Sequence, residues 1–183
     1  MFCSMALGLI ASSSATAQRG GQSQDQCKVE SPSSGQVRNA YNSITLLQLG
    51  TARPDDAKRR LTSAVKDLTS KPDYGRDQLS RDFVLGAALV FWYEQLGEPV
   101  TVKRSEVGYS SEPEGTVDLL AAADSAFRTI ESQDPACAEK TQFFRERPWA
   151  KLVNQIPALV NEDKLDSADK ILDRSLMIYR GSP

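Results

Sequence analysis

Two Ser-x-x-Lys strings, SAVK (Ser63–Lys66) and SADK (Ser167–Lys170), place an amine one helical turn from a hydroxyl. Serine acyl-transfer enzymes use that spacing to activate a nucleophile. Neither string is accompanied by a Ser-Asp-Asn or Lys-Thr-Gly motif, and both lie in strongly helical segments, so both read as solvated helix faces. The chain contains no histidine, which removes the usual general base, the commonest metal ligand and the usual near-neutral pH switch. It has neither a Gly-x-Ser-x-Gly elbow nor a Gly-Lys-Ser/Thr phosphate loop. The acidic runs at Pro54–Asp56 and Asn161–Asp163 lack the spaced ligands and glycine of a calcium loop and read as helix starts. The expectation is a protein with no catalytic residue, no metal and no cofactor.

The cysteines carry more information. Met5–Ala11 (MALGLIA) is an apolar run too short to span a bilayer, and Ala15 and Ala17 follow in an A-x-A arrangement. Residues 1–17 therefore read as an export signal cleaved between Ala17 and Gln18, although no Lys or Arg precedes the apolar run. Residues 18–34, rich in Gly, Ser and Gln, read as a flexible linker. Cys3 leaves with the signal. Cys27 and Cys137 remain, and two cysteines in an exported chain predict one disulfide and a periplasmic or secreted location.

Three stretches are candidates for binding. Phe91–Tyr93 (FWY) suits either a pocket floor or a core. Phe143–Trp149 (FFRERPW), with Phe143, Phe144, Arg145 and Trp149, suits either a partner site or a packing knot between helices. The segment 98–115 breaks the helical pattern with alternating Val100 and Val102, then Val107 and Tyr109, and reads as a small β-hairpin or an ordered excursion. Its Lys103, Arg104 and Tyr109 are candidate partner contacts, because long excursions in compact domains are more often functional or disordered than idle; a mobile surface loop is the alternative. The formal net charge of −2 offers no basic excess for a nucleic-acid backbone.

The elements that position these residues are almost all helical. Val37, Tyr41, Ile44 and Leu47 or Leu49 mark one helix face, and Ala57, Leu61, Ala64, Val65 and Leu68 a second, in a helix opened by Pro54 and two aspartates. The segment 76–97 is apolar nearly all round between Phe83 and Tyr93, as expected of a helix with neighbours on several sides. A further helix runs from Thr116, the expected N-cap, to the proline at 135. Residues 137–147 read as one short helical segment and 148–163 as another, with Pro148 in its first turn and a kink at Pro157. Leu165, Ala168, Leu172 and Tyr179 mark the last helix.

Three of these helices share a pattern. Ala57, Ala123 and Ala168 are each followed four residues later by Leu61, Phe127 or Leu172, then after three more by Ala64, Ile130 or Ser175, and each helix ends at a proline. This resembles the second helix of the tetratricopeptide repeat. Leu89–Glu98, with Tyr93 and Leu96-Gly97, and Trp149–Gln155, with its Trp-x-x-Leu start, resemble that family's first helix. The small residue lets the paired helix approach and the large one fills the gap to the next pair. The resemblance implies an all-α fold of stacked antiparallel helix pairs, a tetratricopeptide-like α-solenoid of about three irregular repeats over 35–183 with the insert at 98–115. A generic helical bundle with alanine-rich interfaces is the alternative.

The resemblance also implies a non-catalytic module that binds a protein or peptide on a concave surface. The competing expectation is a periplasmic solute-binding or lytic protein with a small-molecule pocket. Ile171, Leu172, Leu176, Ile178 and Tyr179 crowd the last helix with apolar surface, which predicts either a further repeat or a docked subunit on that face, or a fold-back that covers it within the chain.

Overall fold

The computed structural model describes residues 27–50, 52–97 and 100–180. Seven α-helices dominate it: α1 (Gly35–Gln48), α2 (Pro54–Thr69), α3 (Gln78–Leu96), α4 (Arg104–Val107), α5 (Leu119–Gln133), α6 (Ala138–Asn161) and α7 (Leu165–Arg180). Two three-residue strands, β1 (Thr101–Lys103) and β2 (Thr116–Asp118), form one antiparallel pair with Val102 opposite Val117. The proposed export signal, its cleavage point at Ala17 and Gln18, Cys3 and the first part of the linker lie outside the described residues.

The helices pack sequentially. α1 lies on α2, α3 on α5, and α6 on α7, while α3 also meets α1, α2 and α6. That central position explains its composition: every residue from Phe83 to Tyr93 is buried. The small residues read from the sequence, Ala57, Ala123 and Ala168, are all buried. Leu61 and Phe127, the large partners in α2 and α5, are also buried, whereas Leu172 in α7 is 43% exposed. Phe127 lies against Phe144 of the following pair, whereas Leu172 stands in the last described helix and stays partly open. α3 and α5 approach so closely at Gly86 that an added Cβ would stand 2.5 Å from the Phe127 ring.

Several local expectations are corrected. Thr116 belongs to β2, and the N-cap of α5 is Asp118, whose carboxylate accepts from the backbone N–H groups of Leu120 and Ala121. Strand pairing with β1 takes Thr116 out of the helix. Val107 is not in a strand but in α4, because β1 finds its partner at 116–118 rather than within the excursion. The two segments expected over 137–163 form one helix, α6, that runs through both Pro148 and Pro157. Each proline removes one backbone donor, and packing of Phe144, Pro148 and Leu152 into the core holds the helix across the first gap. Finally, residues 27–34, read from composition as linker, are laid onto the domain: Val29 is 2% exposed.

Candidate functional site

The N-terminal segment is fastened at both ends. Cys27 and Cys137 form the expected disulfide, with Cα atoms 4.8 Å apart. At the other end Asp77, which precedes α3, accepts hydrogen bonds from the Ser33 N–H (3.0 Å), the Ser33 hydroxyl (2.8 Å) and the Ser34 N–H (2.5 Å). Burial pushes the Asp77 carboxyl up, but these bonds outweigh it and hold the group below its ordinary range. Between the two fastenings Glu30 forms an ion pair with Lys140 at 2.5 Å. This strap forms part of the wall of a groove.

The groove has a volume of about 340 Å³ and is open to solvent on one side. Its walls come from the first helix of each of the three pairs. α1 supplies Tyr41, Ile44, Thr45 and Gln48; α3 supplies Phe83, Val84 and Ala87 as a floor; α6 supplies Glu139, Lys140, Phe143 and Phe144. Phe144 is the centre of an aromatic cluster, edge-on to Phe83 at 5.4 Å and stacked on Phe127 at 6.2 Å. Phe143, edge-on to Phe144 at 5.3 Å, remains 46% exposed at the groove mouth. Its lining mixes apolar and aromatic side chains with polar ones, Glu30, Thr45, Gln48, Glu139 and Lys140, a combination that ligand clefts share.

The predicted site residues therefore separate. Phe143 and Phe144 line the groove. Arg145 does not: it is 2% exposed, donates to Asp124 at 3.0 Å and to Glu131, and lies over the Phe127 ring. It is a buried cation compensated by two carboxylates. Trp149 lines a second cleft of about 440 Å³ between α6 and α7, its ring tilted against Tyr179 at 6.2 Å. Leu165, Leu172, Leu176 and Tyr179 form an exposed stripe along α7.

The insert lies elsewhere. Ser110 bonds to Thr69 and Lys66 of α2, and a Cβ on Gly108 (φ +99°) would meet the Thr62 carbonyl. Arg104 is held by Glu112 and Ser111 and covers the Tyr109 ring at 4.7 Å. Burial pushes the Tyr109 hydroxyl above its ordinary range. Lys103 reaches Glu114 at 3.8 Å. None of these three residues lines the groove. Phe91 to Tyr93 are core.

Cys27, Asp134 and Cys137 offer three potential metal-ligand atoms within 4.8 Å of one another, but both sulfurs are joined in the disulfide. No helix among the described residues is long and apolar enough to cross a membrane. No family model matches the chain, and neither the curated proteins nor the solved structures contain a match to it.

The sequence reading missed Tyr41, Ile44 and Glu30 as groove residues. The first two were legible only as one helix face, and the third as linker. The 3.6-residue period does place Tyr41, Thr45 and Gln48 along one side of α1, but nothing local says which neighbour that side meets.

Proposed function

We propose that the protein is an exported, irregular tetratricopeptide-like module that binds a segment of another protein in the groove between α1, α3 and α6, without catalysing a reaction. The observation that carries this reading is the origin of the groove walls. The first helices of three successive pairs line one cleft, the arrangement by which stacked helix pairs form a concave binding surface. Burial of Ala57, Ala123 and Ala168 supports the repeat reading. The cleft is open to solvent and is not an enclosed cavity. That favours an extended segment over the alternative, a small solute held by a binding or lytic protein.

Site-specific photo-crosslinking tests the assignment. A photoreactive residue at Phe143, on the groove mouth, should yield a discrete adduct in the exported fraction, while one at Glu106, on the exposed insert, should not. Equal labelling from both positions, or none from Phe143, would refute it. Export itself is tested by N-terminal sequencing of the native protein, which should begin at Gln18.

A further inference from the structure

The groove's own charges point to the chemistry of its occupant. Three charged residues line it: Glu30, Glu139 and Lys140. Lys140 is neutralised within the chain by Glu30 at 2.5 Å, and the disulfide three residues before Glu30 keeps that partner in place. Glu139 is exposed, and its carboxylate takes part in no hydrogen bond or ion pair among the described residues. The lining therefore presents one carboxylate, in the first turn of α6, without a cationic side chain paired to it.

Glu139 and Phe143 stand four residues apart on α6 and so lie one above the other on the same helix face. The ring of Phe143 is nearly half exposed. Elsewhere in this molecule rings carry a cation: Arg147 lies over the buried Phe91 at 4.9 Å, Lys151 over the buried Tyr93 at 4.8 Å and Arg104 over the half-buried Tyr109 at 4.7 Å. Among the described residues neither Phe143 nor Tyr41, the exposed and half-buried aromatics of the groove, has such a cation. A carboxylate and a bare aromatic face one turn apart form a seat for a guanidinium or ammonium, whose charge meets Glu139 while its body lies on the ring. Beside that seat Phe83, Val84 and Phe144 offer apolar surface.

We infer that the groove's partner is a protein segment in which a bulky apolar residue stands next to arginine or lysine. This rests on the groove reading above and adds the partner's charge. Glu139 and Phe143 set the preference, and the Glu30–Lys140 pair keeps the groove's own cation from repelling the ligand.

Two blocked hexapeptides test it by calorimetry on the oxidised full-length mature protein, one with phenylalanine flanked by arginines and one with phenylalanine flanked by glutamates. The arginine peptide should bind about tenfold more tightly at low salt, the sum of one exposed ion pair and one cation–ring contact, with most of that advantage gone in high salt. Glu139→Gln should bring the two peptides closer without abolishing binding, and Phe143→Ala should weaken both. Equal affinities, or a preference for the glutamate peptide, would overturn the charge assignment and leave the groove reading standing. Failure of both peptides to bind would overturn the two together. Glu139 and Phe143 are exposed, so each variant should melt as the wild type does, and a lowered Tm would mark a loss of binding as a loss of fold.

Discussion

Asp77 fastens the strap that walls the groove, and its removal has a calculable consequence. Its carboxylate accepts from two backbone N–H groups, those of Ser33 and Ser34, and from the Ser33 hydroxyl, while Asp77 itself is 6% exposed. Hydrogen bonds to a charged acceptor contribute about 1.5–3 kcal/mol each in isolation, and a set sharing one acceptor contributes less than its sum. Asp77→Ala leaves both N–H groups without that partner at the entry to α1, so the expected loss is about 2–4 kcal/mol. Asp77→Asn keeps one carbonyl oxygen and should lose roughly half as much.

The pH dependence separates this from a packing defect. The folded carboxyl lies below its ordinary value of 3.8. A depressed folded pKa contributes stability that is present above the unfolded value and lost as pH falls through the folded one. Urea denaturation between pH 7 and pH 2.5 should therefore show the wild type losing more stability below about pH 4 than Asp77→Asn does. Parallel curves for the two proteins would refute the claim that a charged Asp77 fastens the strap.

Three further outcomes follow from the packing. Gly86→Ala gains about 1 kcal/mol in helix propensity but drives a methyl into Phe127. That ring is backed by Phe144 and Arg145, so thermal melting should show a net loss of about 1–2 kcal/mol; a raised Tm would show that α3 and α5 have slack. Replacing Cys27 and Cys137 together by serine opens a closure spanning a sequence separation of 110, for which chain entropy predicts about 4–5 kcal/mol at most; an unchanged denaturation midpoint would mean that the strap holds without it. Arg145→Ala leaves Asp124 and Glu131 facing each other in a buried site and should cost about 3–5 kcal/mol in urea unfolding, whereas Arg145→Met should cost less because it keeps the volume over Phe127.

Much of the fold was written locally. Apolar residues at helical spacing marked α1, α2, α5 and α7, and the small-then-large pairs at Ala57 and Leu61 and at Ala123 and Phe127 anticipated which side of α2 and α5 is buried. These are properties of a single helix, set by its 3.6-residue period and side-chain size. The pairing of Cys27 with Cys137 was legible because only two cysteines remain after the expected signal. Local rules failed where distant chain supplied the missing partner. α6 continues through Pro148 because core contacts outweigh a lost donor, and Thr116 leaves α5 because Lys103 offers a strand to pair with. Residues 27–34 look like linker by composition, yet a disulfide and the Asp77 carboxylate hold them down. The groove belongs wholly to this second kind. Tyr41, Phe83 and Phe143 come from three helices, and no spacing within any one of them encodes that they share a cleft. Only the packing angle of the helix pairs brings those faces together, and that angle is decided by contacts such as Gly86 against Phe127.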